Sequence, residues 1–493
     1  MTHLPSDLKA LPAFRDAVIV LAAAAVLLAM WGWSLRQGPA LADEFIYLAG
    51  ARHFADTGRL DARYYDADAI LARGHPHHDV HAPGYVLILG AFDLVAGRTN
   101  AAAVTLNAIA YAAAALLAYA LARALDLEPR RARIAALLAL LLPGALPYVF
   151  WAMAETVLGA LVLAALALAA RGEDRPGWAA AAGLALGLAF LVRESALLAL
   201  PAMLALQRGR ARRITLGAFL AVVLLVYAPL SRDRAPGGAN FWVPSGGRAF
   251  GFEAVQAAGG GRVGAFVGLV GRRIARNAAE LTGPKTTWTE RGILAIYLAL
   301  PLLALARWRA HPPRVRRYLA GLLVGFAALV ALLFGVYVVA EWSGYRYAMF
   351  LMAGFLPLVV PAGRRAWAVA GVLALTGGVL LFGVRPVFEG YKASRQKRQV
   401  GLSDYVERYV PEPPERIVLP SGWLYGWRHA ETEIVSSLSD ADALRKLERA
   451  LPFAYVVVPA GSALHQDTEA RVRYQHVNAD DAEAPVVIFR RLR

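Results

Sequence analysis

The sequence predicts an all-α polytopic membrane protein of about eleven transmembrane helices, closed by a small α/β domain at its C-terminal end. Three observations predict it. Of the 493 residues, 58% are apolar and only 18% are charged, where a water-soluble domain carries roughly a quarter. The apolar residues fall into blocks of about fifteen to twenty-five, close to the ~20 that a helix needs to cross a bilayer, with short arginine clusters between them. After Pro386 the apolar blocks stop and the composition becomes that of a soluble domain.

Apolar length places spans at about 16–34, 100–122, 134–151, 156–170, 177–192, 196–206, 214–230, 290–306, 318–340, 348–362 and 367–385. The sixth is shorter than a full crossing. With the N-terminus in the cytoplasm, the clusters RRAR (130–133), RGRARR (208–213) and RVRR (314–317) also lie inside, as the positive-inside rule requires. An odd number of spans then puts the C-terminus on the outer side. The first apolar run, Ala17 to Trp33, lacks a small-residue cleavage site and reads as a retained span.

Lys plus Arg number 52 and Asp plus Glu 36, a net charge of +16. Nucleic acid is not the partner this implies, because the basic residues sit mainly at span ends, where orientation accounts for most of them. An anionic lipid substrate accounts for some of the rest. Cysteine is absent, which excludes disulfides, thiolate metal sites and a cysteine nucleophile.

Two polar segments interrupt the membrane pattern. The first, in an outer loop over 35–99, opens with Asp43 and Glu44 about ten residues past the first span, near the lipid–water boundary. It continues through histidines at 75, 77, 78 and 81. The apolar stretch Ala82 to Gly97 that follows is short and contains Asp93, so it reads as an interfacial helix. The second segment, within an outer loop over 231–289, is glycine-rich and carries Arg272, Arg273, Arg276 and Lys285. Its second half, Val263 to Leu281, has amphipathic helical spacing, and its glycine-rich half suits a cover over a site. The soluble domain, 386–493, carries short β-branched runs at Arg416 to Pro420, Phe453 to Pro459 and Val486 to Arg490, and a helix over Ser439 to Leu451. The membrane domain is 1–385.

The outer-side span ends gather Asp43 and Glu44, His81, Glu155, Arg193 with Glu194, Lys285, Glu341, Arg346 and Tyr347. Ionisable groups at membrane depth are costly and are usually paired or functional. Each also has a plain explanation. Asp43 and Glu44 suit a helix N-terminus, Glu155 marks a break between two spans, Arg193 and Glu194 neutralise neighbours, and Arg346 with Tyr347 suits an interfacial anchor. The cluster HPHHDVH has metal-ligand residue types, but Pro76 and a loop setting do not define a metal site. Taken together, a carboxylate and several arginines on one membrane surface suit an anionic headgroup and an attacking hydroxyl. The arginines would hold phosphate and the carboxylate would take the proton.

The order of these motifs resembles the GT-C superfamily of integral-membrane glycosyltransferases, in the branch of protein O-mannosyltransferases and lipid A aminoarabinose transferases. The residues that carry the resemblance are the Asp-Glu pair after the first span, and His81-Ala82-Pro83-Gly84-Tyr85 leading an apolar helix. To these are added GLALGLAFLVRESALLALP (183–201), ending its glycine-rich part at Arg193, and GYRYAMFLMAGFLPLVVP (344–361). Alanine at position 82 replaces the first proline of the family pattern. The resemblance covers roughly 15–385.

It implies Asp43 as the catalytic carboxylate, with Glu44 beside it, and Arg346 with Tyr347 at the donor phosphate. His81 would stand where a basic residue approaches that phosphate, and Glu155 where members carry a second acid. Tyr85 belongs to the same motif. Arg193 and Lys285 would help to hold the departing phosphate. The implied reaction moves a sugar, with inversion, from a polyprenyl-phosphate donor to a lipid, glycan or protein acceptor at the outer face of a bacterial inner membrane. No cofactor follows with certainty, since a divalent metal is required in some branches and not in others. A flippase or transporter of lipid-linked sugars is the alternative. Against it, no paired halves are seen, and the polar groups lie at the membrane edge where a transporter would place them at the midplane.

Overall fold

A computed structural model describes residues 11–32, 42–60, 64–66, 83–97, 100–143, 145–173, 175–231, 263–283, 288–335, 346, 348–363, 365–419, 425, 428–429, 432–436, 441–450, 452–462, 464–466, 474–481 and 485–492. The chain forms two compact units. One gathers Met1–Arg36, Ala103–Ala228 and Gly260–Glu389, the other Gln37–Ala102, Pro229–Gly259 and Gly390–Arg493. The division follows contacts and not chain order, so the first polar loop is grouped with the C-terminal hundred residues.

The first unit is helical. It contains α1 (Leu11–Trp31), most of α4 (Asn100–Ala124), α5 (Pro129–Leu140), α6 (Ala145–Val149), α7 (Glu155–Arg171) and α8 (Pro176–Val192). A 3-10 turn, Glu194–Ala199, leads into α9 (Leu200–Leu206) and α10 (Gly209–Val222), and α10 runs on through a π turn, Val223–Tyr227. Next come α11 (Val263–Thr282), α12 (Trp288–Ala306), α13 (Pro313–Gly335), α14 (Met349–Val359) and the start of α15 (Arg365–Tyr409). Among the described residues, five helices are long and apolar enough to cross a membrane: Phe14–Trp31, Asn100–Ala124, Gly209–Leu230, Pro313–Leu332 and Ala368–Tyr409. Shorter apolar helices lie between them, including Pro176–Val192, Arg291–Ala306 and Met349–Val359.

Two elements depart from the spans read off the sequence. The stretch 134–151 is not one helix but two, α5 and α6, separated at Pro143, whose ring removes a backbone donor and breaks the ladder. The break is held by Tyr297, whose hydroxyl donates to the Pro143 carbonyl at 2.5 Å. The stretch 367–385 does not stop at Pro386, since α15 carries that proline internally and continues to Tyr409.

Close helix contacts rest on glycine pairs four residues apart, the spacing that lets backbones approach. On α8, a Cβ at Gly183 would strike the Thr215 carbonyl, and one at Gly187 would strike Val222 of α10. On α13, Gly321 and Gly325 play the same part against Ala202 and Leu198. The arginine clusters also pin helix ends. Arg131 and Arg307 donate to the Val360 and Val359 carbonyls at the C-terminus of α14, at 2.8 and 2.9 Å, where the helix dipole favours cations.

The second unit is built on a mixed six-stranded sheet in the order β1-β3-β2-β4-β6-β5. Its strands are β1 (Tyr64–Asp66), β2 (Arg416–Val418), β3 (Glu433–Ser436), β4 (Tyr455–Pro459), β5 (Tyr474–His476) and β6 (Val486–Arg491). The pairs among β1, β3, β2 and β4 are parallel, and β6 runs antiparallel to β4 and β5. The strands and helix read between 416 and 490 are present, with α16 at Ala441–Ala450. The edge strand β1 comes from the first polar loop, which composition alone did not mark as sheet.

Alternate residues face opposite sides of this sheet. Val418, Val435, Val456, Val458 and Phe489 pack with Leu444 and Leu447 of α16. Ile417, Ile434, Val457 and Ile488 pack on the other face with Val406 and Tyr405 of α15 and with Phe45. Phe45 lies in α2 (Ala42–Thr57), which with α3 (Gly84–Ala96) completes the unit. Burial on that face pushes the Tyr425 phenol up to about 12.

Candidate functional site

Two clusters of the sequence-selected residues are ordered, one in each unit. The first forms around Glu155. It is the first residue of α7 and is buried, its side chain only 1% exposed. Asn107 arranges the segment before it. This buried amide on α4 donates to the carbonyls of Tyr148, Trp151 and Met153 at 3.3, 2.8 and 3.1 Å. Those bonds stand in for the backbone pairing that the chain loses between α6 and α7, and so fix where α7 starts.

Arg193 leaves the end of α8 in an extended conformation (φ −162°, ψ 130°), so its side chain is not held in the helix repeat. Its Nη1 lies 2.8 Å from Glu155 Oε1. Arg346 Nε approaches the same oxygen at 3.7 Å. Both arginines are mostly shielded, at 12% and 17% exposed. Two guanidinium groups thus approach one carboxylate oxygen. The other oxygen, Glu155 Oε2, is buried without a hydrogen-bond partner among the described residues. Glu194, next to Arg193, accepts from the Tyr227 hydroxyl at 2.9 Å.

The second cluster surrounds the start of α2. Asp43 and Glu44 both lie in its first turn, where the dipole favours carboxylates, but their surroundings differ. Glu44 is fully buried and pairs with Lys392 Nζ at 3.4 Å, whereas Asp43 is half-buried. The adjacency that leaves the two acids indistinguishable in sequence is resolved by the helix, which turns neighbours by about 100°. Tyr85 is buried and meets Tyr47 edge to face at 4.9 Å between ring centres, tying α3 to α2. At Gly90 of α3 a side chain would collide with Phe54 and the Ala51 carbonyl of α2.

His81, Lys285 and Tyr347 lie outside the described residues, as do Glu341, the histidines at 75, 77 and 78, and the glycine-rich part of the second polar segment. The amphipathic helix read within that segment is present as α11. Among the described residues, no group of three or more His, Asp or Glu side chains converges to hold a metal ion. Sequence reasoning passed over Asn107 and Lys392. A lone amide inside an apolar span was a readable signal for the first, while the second was concealed in a basic run.

Comparison with known proteins agrees with the resemblance drawn from the motifs. Residues 80–231 match the model of the dolichyl-phosphate-mannose-protein mannosyltransferase family. The fold matches ArnT from Cupriavidus metallidurans bound to undecaprenyl phosphate, with a TM-score of 0.58 at 15% identity, over 96% of this chain and 97% of that one. It also matches the Archaeoglobus fulgidus oligosaccharyltransferase in its apo form, with a TM-score of 0.55 at 14% identity over 90% and 69%. A third match is the AglB oligosaccharyltransferase of that archaeon in complex with an inhibitory peptide and a dolichol-phosphate, with a TM-score of 0.51 at 13% identity over 92% and 70%. A search of curated proteins by sequence finds no match. The chain is a multi-pass membrane protein whose fold matches these solved structures, and residues 80–231 match the mannosyltransferase family model.

Proposed function

We propose that this protein is a membrane glycosyltransferase that transfers a sugar from a polyprenyl-phosphate donor to the hydroxyl of a lipid, glycan or protein acceptor, a reading supported by the family model and the fold. The observation that supports the reading is the shielded cluster in which Arg193 and Arg346 approach Glu155 at 2.8 and 3.7 Å. A phosphate diester binding there would meet two guanidinium groups suited to hold it. When the bond from the anomeric carbon to phosphate oxygen breaks, the charge on the departing phosphate rises, so the same arginines bind the transition state better than the substrate.

In the reaction that the motif implies, the acceptor oxygen attacks the anomeric carbon and its proton passes to Asp43, leaving the sugar inverted and the polyprenyl phosphate free. The motif assigns the base to Asp43, which is half-buried at a helix start, beside the fully buried Glu44. His81, Lys285 and Tyr347 are assigned to the donor phosphate by the motif alone. The reading includes about eleven crossings with the N-terminus inside. The 386–493 domain and the acceptor chemistry then lie on the outer face of a bacterial inner membrane. The proteins of like fold bound to undecaprenyl phosphate and to dolichol-phosphate support a polyprenyl phosphate as the lipid.

The test uses the purified full chain with undecaprenyl-phosphate sugars, following release of undecaprenyl phosphate by mass spectrometry. Wild type releases it in the presence of an acceptor. Asp43→Asn retains undecaprenyl phosphate binding and loses release, and unchanged turnover in that variant removes Asp43 as the base. Movement of lipid-linked sugar across vesicles with no release at all selects the flippase.

A further inference from the structure

The stretch Tyr391 to Gln399 has the sequence of a solvated basic run. Arg395, Lys397 and Arg398 are indeed exposed, but Lys392 is buried, its side chain 2% exposed. It lies on the inward face of α15 with Gln399, Ser403 and Val406, all buried, at spacings of seven, four and three residues that trace one side of a helix. A lysine is rarely placed so unless a partner demands it. The partner is Glu44 at 3.4 Å, 0% exposed and adjacent to Asp43.

The next residue along α2, Phe45, sits in the same hydrophobic face as Tyr405 and Val406 of α15. On the side of α3, Tyr47 rests against Tyr85, and Gly50 faces Val86. Helix α2 is thus held by apolar packing on two sides and, at its first turn, by the Lys392–Glu44 ion pair. Apolar packing tolerates small rotations and slides. A charge pair in a dry interface tolerates them less, because its energy falls with distance and its charges are shielded from water.

We propose that Lys392 is a positioning residue: by holding Glu44 it sets the rotation of the first turn of α2, and with it the direction in which Asp43 presents its carboxylate. The inference rests on Asp43 being the base. It makes the Asp-Glu motif a division of labour in which the second acid anchors and the first reacts. Misplacing a reacting group by about 1 Å costs on the order of a hundredfold in rate, so a lost anchor slows chemistry without weakening donor binding.

The experiment compares wild type, Lys392→Met, Lys392→Arg and the charge-balanced double variant Lys392→Met with Glu44→Gln, each as the full chain in lipid nanodiscs. Three quantities are read: affinity for undecaprenyl phosphate, turnover of undecaprenyl-phosphate sugars, and labelling of Asp43 and Glu44 by carbodiimide with glycine ethyl ester. The proposal expects wild type to label at Asp43 and spare Glu44. Lys392→Met keeps undecaprenyl phosphate affinity, loses about tenfold or more in kcat and changes the Asp43 labelling rate, and Lys392→Arg recovers most of both. The double variant, with no stranded charge, folds and remains slow. A folded double variant with wild-type kcat and wild-type Asp43 labelling overturns the proposal. Failure of the underlying reading looks different, since Asp43→Asn would then turn over normally while the labelling still reports whether Lys392 orients Asp43.

Discussion

Helix α7 carries a carboxylate–arginine cluster at each end, and the two ends do opposite things with the same residue types. At its N-terminus, Glu155 is buried with Arg193 and Arg346. Just beyond its C-terminus, about 25 Å away by helix rise, Glu173 meets Arg208, Arg314 and Arg317 at 3.1, 3.1 and 3.6 Å. There the carboxylate is 21% exposed and Arg208 is 64% exposed. Water screens the outer charges of the second cluster, so its net positive balance costs little and its work is to join helix ends. In the first cluster the carboxylate and both arginines are sheltered from water, so each interaction there weighs more. Burial, and not composition, sets the two ends apart.

The sharpest way to break this comparison is to remove a cation from each end. Arg193→Met is expected to lower kcat/KM for undecaprenyl-phosphate sugars by about a hundredfold or more, as loss of a charge-assisted donor to the departing phosphate does. Arg208→Met is expected to leave it within a factor of about two, since exposed pairs contribute about 0–1 kcal/mol. Equal losses from both would erase the distinction.

Removing the carboxylates tests stability. Glu155→Gln takes the buried carboxylate away from two shielded guanidiniums and is expected to destabilise by about 3–5 kcal/mol, read as a lower midpoint of thermal unfolding in detergent, and undecaprenyl phosphate is expected to restore part of the loss. A smaller effect is expected at Asn107→Ala, about 1–3 kcal/mol for the buried hydrogen bonds that its amide donates to three carbonyls. Turnover should fall with it, because the start of α7 is no longer held. The smallest change is expected at Glu173→Gln, within about 1 kcal/mol and diminishing as salt is raised. A large, salt-independent loss there would show that this end is as dry as the other.

Much of this was legible along the chain. Apolar block length and the RRAR, RGRARR and RVRR clusters marked the helical membrane unit. Strands at Arg416, Tyr455 and Val486 were readable from β-branched runs, because alternation on a sheet is a local property. The candidate residues Asp43, Glu155, Arg193 and Arg346 were selected because ionisable groups near span ends are rare. What was not legible depends on distant partners. Three residues, Tyr64–Asp66, become an edge strand only because β3 lies almost 370 positions later. Proline at 386 reads as a boundary, yet the helix passes through it, because inward-facing residues on the far side are engaged by α2.

The sequence by itself determined the class: a helical membrane protein with a short list of charges near span ends and a soluble α/β tail, since hydrophobicity and period are written into each segment. Only the tertiary structure decided which charges meet. It joined Glu155 to Arg193 across 38 positions and Glu44 to Lys392 across 348. In the second case it separated two adjacent acids into a fully buried one and a half-buried one. The reason is that pairing energy depends on distance and dehydration, and neither is a property of the chain until it has folded.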